Sequence, residues 1–281
     1  MFTDIPCSWN VKGLACDFSR DYELGRLPAM RELERNVLGC DYGGTSWTTR
    51  REAGRIAELL GLCPGARLLD VGAGSGWPAL FLAQLTGCEV VLADIPLLGL
   101  QIAIERAAAD GVRERCQAVA AQGAALPFQN NSFDNLSHSD VLCCMPAKLA
   151  MLGECRRVAR PDAKMAFSVI APAPNLSETE RRLAVESGPP FVDVSADYEI
   201  LLQRSRWRVL ERIDVTAEYL QSLRTFLQEM AARTEALTTV LGREEFSERV
   251  KRRQSTIAAI EKGVLKREIF VALTIAWPAT R

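Results

Sequence analysis

The segment that most constrains the chain is Leu68-Leu69-Asp70-Val71-Gly72-Ala73-Gly74-Ser75-Gly76-Trp77-Pro78, an apolar run passing directly into three alternating glycines and then a proline. It predicts a buried strand over residues 68–71, a tight turn, and a helix over 78–85 with Pro78 in its first turn, where a missing N–H costs nothing. Glycine takes positive φ freely and lets backbone approach a ligand, and a helix start offers unpaired N–H groups. The segment therefore reads as a nucleotide-cofactor loop. A tight turn with no ligand is the plainer alternative.

The spacing excludes two common ligands. A dinucleotide loop of the form GxGxxG needs a glycine three positions after Gly74, but residue 77 is Trp. No Walker lysine follows the glycines, which excludes a P-loop. Asp70, ahead of Gly72, would repel a pyrophosphate. It suits the amino group of a zwitterionic ligand that carries a sulfonium.

From Arg67 onward, short apolar runs alternate with helical stretches, as in a parallel sheet built from βα units. Further strands are expected at 89–94, 116–121, 135–139, 164–170, 207–215 and 268–276, with crossover helices near 97–107 and 147–160. Ahead of this rhythm, helices are expected at 22–38 and 49–60. Later, Ser177 and Glu180 form a capping box, and helices at 217–241 and 244–262 separate the last two strands.

Composition narrows the function. The 281 residues carry 34 Lys and Arg against 35 Asp and Glu, so there is no basic excess for nucleic-acid phosphates, and nucleic acid is disfavoured as a partner. Lys251-Arg252-Arg253 is too short for that role and is expected to be a solvated helix face. No apolar run approaches the ~20 residues that span a bilayer, and the first residues lack the basic and apolar regions of a secretory signal. Nine scattered cysteines with no CxxC pair fit reduced thiols in a cytoplasm, with no metal site.

In order and spacing, these segments resemble the class I, Rossmann-like S-adenosylmethionine-dependent methyltransferases. Asp70 to Gly76 is similar to the family's first motif. The resemblance implies that Asp70, Gly72, Ala73, Gly74 and Gly76 form the cradle for the methionine part and ribose. Asp94, with Ile95 beside it, matches the acid that accepts hydrogen bonds from both ribose hydroxyls. Gln122-Gly123-Ala124 is similar to the stretch after the third strand, where an Asp usually holds the adenine amino group. The Gln carbonyl can accept the same hydrogen. Ser139 closes the set at the end of strand four. Glu154 to Ala163 resembles the helix and turn before strand five, with Asp162-Ala163 where the family commonly has two glycines.

The match covers roughly residues 45–170 and returns weakly at the two final strands. It implies an α/β fold: a seven-stranded, mostly parallel sheet flanked by helices, with the last strand antiparallel. Residues 1–50 would then be a helical lid. Residues 51–281 would form the S-adenosylmethionine-binding domain, with a helical cap inserted at about 216–263.

The resemblance implies methyl transfer from S-adenosylmethionine to a small-molecule O, N or C acceptor, such as a secondary metabolite. A protein or RNA substrate, or a non-catalytic relative, are the alternatives, and a homodimer stays open. His138, the only histidine, is either a general base or a packed imidazole. Asp140 either orients the substrate or caps the next helix. Tyr42 and Trp47 either close over the cofactor or pack on the first helix. Met145, Tyr198, Trp207, Tyr219 and Phe226 line an acceptor pocket or belong to the core. Cys143 and Cys144 read as packing thiols.

Overall fold

Three helices precede the sheet in the computed structural model, which describes residues 14–275. They are α1 (Leu14–Gly25), α2 (Pro28–Leu38) and α3 (Arg50–Leu60). Where one helix over 22–38 is expected, the chain breaks at Leu27, whose ψ of 140° is extended. A residue before proline is pushed out of the helical region, and Pro28 starts α2 instead. α3 opens on a capping box between Thr49 and Glu52, satisfying two otherwise unpaired N–H groups.

The strands are β1 (Arg67–Val71), β2 (Glu89–Asp94), β3 (Cys116–Ala120), β4 (Phe133–Ser139), β5 (Ala159–Pro172), β6 (Trp207–Asp214) and β7 (Leu265–Thr274). Their order in the sheet is β3-β2-β1-β4-β5-β7-β6. β1 pairs parallel with both β2 and β4, whereas β7 is antiparallel to β5 and β6. The sequential order therefore reverses beside β1, and a crevice opens at the carboxyl ends of β1, β2 and β4. Strand five runs longer than the expected 164–170, because residues 159–163 join it through a register shift. In that turn Asp162 has φ +61°, a conformation Asp tolerates in place of glycine.

Between the strands run α4 (Ala79–Thr86), α5 (Leu97–Ala109), α6 (Lys148–Val158), α7 (Glu178–Ser187) and α8 (Tyr198–Arg204). α7 begins on the expected Ser177–Glu180 capping box. α8 went unforeseen: seven residues, N-capped by Asp197, are too few to show a helical period. The insertion before β7 holds α9 (Thr216–Ala232), α10 (Thr234–Leu241) and α11 (Arg243–Glu261). It breaks at Arg233, so one expected helix is two.

The two faces of the sheet bury separate apolar clusters, one over β4, β5, α6 and α8, the other over β1, β2, α3, α4 and α5. A third cluster, with Leu24 and Leu33 against Phe226, Met230, Leu237 and Leu241, fastens the first two helices to the insertion. Each such side chain contributes roughly 1.5–3 kcal/mol of gross burial, so the insertion and the N-terminal helices are held together by packing. Among the described residues, no helix is long and apolar enough to cross a membrane.

Candidate functional site

A cavity of about 270 Å³ opens at the crevice, bounded by the ends of β1, β2 and β4, by α1 and by the 189–191 loop. Its floor is backbone. Gly72 has φ +73°, and its N–H donates to the Ala93 carbonyl at 2.7 Å. A side chain there would bring its Cβ within 2.5 Å of Val141 Cγ2, so the turn admits only glycine. The Gly74 N–H donates to Asp94 Oδ2 at 2.6 Å, and the Ile95 N–H donates to Asp94 Oδ1 at 2.7 Å. Asp94 thus ties the glycine turn to the end of β2. Burial raises its carboxyl, and the two N–H donors pull it back toward the anion.

Of the residues singled out from the sequence, Trp47, Gly72, Asp94, Ile95, Gln122, Gly123, Ser139 and Asp140 come together on this cavity. The Ser139 hydroxyl is buried there without a partner. Ala73, Gly74, Gly76 and Ala124 do not line it. The Gly74 turn is covered by Tyr22, whose hydroxyl would meet an added Cβ at 2.7 Å, and Gly76 packs on Leu80. Asp70 is buried beneath the turn and accepts a 2.6 Å bond from Ser137 Oγ. Burial pushes its carboxyl up to about 7, against the opposing pull of that bond.

Other candidates lie elsewhere. Tyr42 faces away from the cavity: its hydroxyl donates to Asp110 at 2.5 Å and its ring packs on Trp77. His138 is buried within the sheet, stacked 4.4 Å from the Phe167 ring, and neither of its nitrogens has a partner. Burial pushes its pKa down to about 3, with Asp140 opposing, so it is a neutral packed ring. Tyr198 and Trp207 are core residues, whereas Met145, Cys143 and Cys144 line the cavity. Tyr219 and Phe226 pack edge-on against Trp47. Cys7 lies outside the described residues. Among those residues, no group of three or more His, Cys, Asp or Glu could hold a metal ion.

Comparison with known proteins bears on the stretch that builds this cavity. A methyltransferase-domain model matches residues 69–167, the stretch from β1 to β5 that builds the cavity floor. Methyltransferase GfsG of Streptomyces halstedii is 28% identical over 172 residues, covering 58% of this chain and 60% of that protein. Residues 69–167 therefore carry a methyltransferase domain, similar to that of the class I, Rossmann-like S-adenosylmethionine-dependent enzymes. Solved structures share its fold over nearly the whole length. The cyclase SpnF superposes with a TM-score of 0.71 at 20% identity, covering 92% of this chain and 95% of that one. The geranyl diphosphate C-methyltransferase of Streptomyces coelicolor, solved with geranyl diphosphate and S-adenosyl-L-homocysteine, gives 0.69 at 12% identity, covering 94% and 99%. The chain matches between about a third and 60% of the length of the curated relatives first found.

The outer wall of the cavity is anchored by a buried ionic network that sequence reasoning missed. Arg267 of β7, which is 0% exposed, reaches Asp140 through Nε at 3.0 Å and Glu52 through Nη1 at 2.6 Å. It also donates to Thr48 Oγ1 at 3.3 Å. Asp140 then accepts the Trp47 N–H at 2.9 Å and the Ser168 hydroxyl at 3.1 Å. Burial alone would raise the Asp140 carboxyl, but the charge and hydrogen bonds of Arg267 hold it below its ordinary value. Asp140 is therefore a bound anion that fixes Trp47 over the cavity. Arg267 stands in the charged run Lys266-Arg267-Glu268 ahead of the apolar part of β7, so nothing local marked it as buried. Tyr22, which closes over Gly74 and lines the cavity, lies in α1 and carried no local signal.

Proposed function

We propose that the chain transfers the methyl group of S-adenosylmethionine to a small organic acceptor. One observation carries the reading: the Gly72 backbone, the Asp94 carboxylate, Gln122 and the orphaned Ser139 hydroxyl converge on a single cavity at the switch point of the sheet. Buried polar groups are rarely left unpaired, so Ser139 calls for a polar ligand. Asp94 accepts only two backbone bonds and keeps lone pairs for further donors, which suits a ribose diol. When bound, S-adenosylmethionine supplies an electrophilic methyl group. The chain's own residues bind and orient it from Gly72, Asp94 and Gln122, and exclude water from above with Tyr22 and Trp47. In the same reading the helices ahead of Arg50 serve as a lid and the 216–263 insertion as a cap. The buried free thiols Cys40, Cys88 and Cys155 fit a reducing cytoplasm.

A second reading, a relative that holds the donor without transferring its methyl, is favoured by the lack of a free general base among the described residues that line the cavity. The carboxylates lining the cavity are Asp94, held by two N–H groups, and Asp140, held by Arg267. Many methyl transfers need only proximity and alignment, which keeps transfer the better reading. Incubating the protein with small-molecule extracts and methyl-labelled donor separates the two. Transfer predicts label in a discrete low-molecular-weight product. A protein that binds S-adenosylhomocysteine yet labels nothing across acceptor classes would contradict it.

A further inference from the structure

The basic stretch of α11 does not form one solvated face. Lys251 and Arg252 are exposed, as expected, but Arg253 is half-buried and turned inward. It lines a second cavity of about 110 Å³, room for several waters at roughly 30 Å³ each. That cavity shares Thr45 and Trp47 with the first, so the two meet at the Trp47 ring.

The Arg253 guanidinium makes no salt bridge among the described residues, and Asp21 acts on it only at longer range. Its Nε is shut off from water and meets no acceptor. The carboxylates lining the same cavity are committed elsewhere. Asp21 is engaged by Arg249 at 2.5 Å, while Glu34 accepts the Gly43 and Gly44 N–H groups at 2.6 and 3.2 Å and the Cys40 thiol at 3.3 Å. What Arg253 does touch is aromatic: its Cζ stands 5.0 Å from the Trp47 ring centre and 5.3 Å from that of Phe226. Ring faces attract a cation but cannot accept its N–H groups as a carboxylate does. Burial pulls the pKa down to about 10, which still leaves a full charge at neutral pH. A half-buried charge with an N–H shut off from water is left undersatisfied until an anion completes it.

We propose that Arg253 is the anion-binding residue for the methyl acceptor, which is accordingly a small carboxylic acid with an apolar stem. The carboxylate docks on the guanidinium fork, the stem lies along Trp47 and Phe226, and the far end of the molecule reaches past Trp47 into the larger cavity. This deepens the methyltransferase reading and rests on it for the word acceptor. The site itself stands on Arg253 and its rings.

Phenylacetate and its neutral twin phenylacetamide are the probes, titrated by calorimetry with and without saturating S-adenosylhomocysteine. Phenylacetate is expected to bind at least about tenfold more tightly than the amide. Arg253→Met should erase that preference and Arg253→Lys keep part of it. S-adenosylhomocysteine affinity should stay within about twofold in both variants, showing that the fold is intact. Equal binding of acid and amide, or a preference that survives Arg253→Met, overturns the proposal. Failure of S-adenosylhomocysteine to bind the wild type contradicts the methyltransferase reading instead, while the probe arm run without it still judges Arg253.

Discussion

The inner wall of the larger cavity, Val71 and Gly72 with Asp94 and Ile95, and its outer wall, Tyr22 with Thr45 and Trp47, are held in different ways. The inner wall is backbone set by adjacent sequence: Gly72 and Gly74 turn at positive φ, and Asp94 fixes the turn through main-chain N–H groups. The outer wall depends on residues far apart in the chain. Trp47 is pinned by Asp140, and Asp140 by Arg267, which also takes Glu52. The inner wall is a local motif that a strand and a turn can reproduce, which suits the cofactor part of the site. The outer wall exists only once β7 has joined the sheet and α3 has docked. Substitutions should therefore separate the two.

The largest effect is expected at Arg267. Arg267→Met leaves Asp140 and Glu52 buried without their cation, and breaking such a network typically costs about 3–5 kcal/mol. Urea denaturation followed by tryptophan fluorescence should show a loss of that size. A loss below about 1 kcal/mol would mean that the outer wall is held by packing instead.

A smaller effect, confined to the inner wall, is expected from Asp70. Its folded pKa of about 7 lies above the ordinary aspartate value of 3.8, so the folded state keeps a proton that the unfolded state has lost. That contribution to stability is fully present at low pH and is lost as pH rises from about 4 through 7. Asp70→Asn lacks it, so the variant should gain stability relative to wild type across this window. Referring each measurement to wild type matters, because His138, pushed down to about 3, destabilises in the opposite direction as pH falls below 6.5. A stability difference that does not change with pH would contradict the buried, protonated Asp70.

The smallest effect is expected at His138. His138→Phe keeps the stack on Phe167 and removes two unpaired nitrogens. Affinity for S-adenosylhomocysteine should change by less than about twofold, with stability equal or slightly higher. A large drop in methyl transfer would restore the imidazole to the chemistry.

The same contrast governs what could be read in advance. The strands from Arg67 to Ser139, the glycine turn and Asp94 are legible because spacing and apolar runs are local. The seven-stranded, mostly parallel sheet and the antiparallel β7 followed from the resemblance, and the structure has them. The break at Leu27-Pro28 was also written in the sequence, in the restriction proline places on its predecessor. What stayed illegible was contact across the chain. Nothing near Tyr42 shows that its hydroxyl finds Asp110, 68 residues on, rather than the cavity. Nothing near Asp140 points to Arg267, 127 residues later. Arg253 belongs with these, since the run Lys251-Arg252-Arg253 gives no sign of which side chain turns inward.

The most direct measurement is calorimetric titration of the full chain with S-adenosylhomocysteine and, separately, with NAD. The nucleoside should bind, NAD should not, and Asp94→Ala should weaken the nucleoside by at least about tenfold. Binding of NAD in place of the nucleoside, or wild-type affinity in Asp94→Ala, would contradict an adenosyl site on the glycine turn.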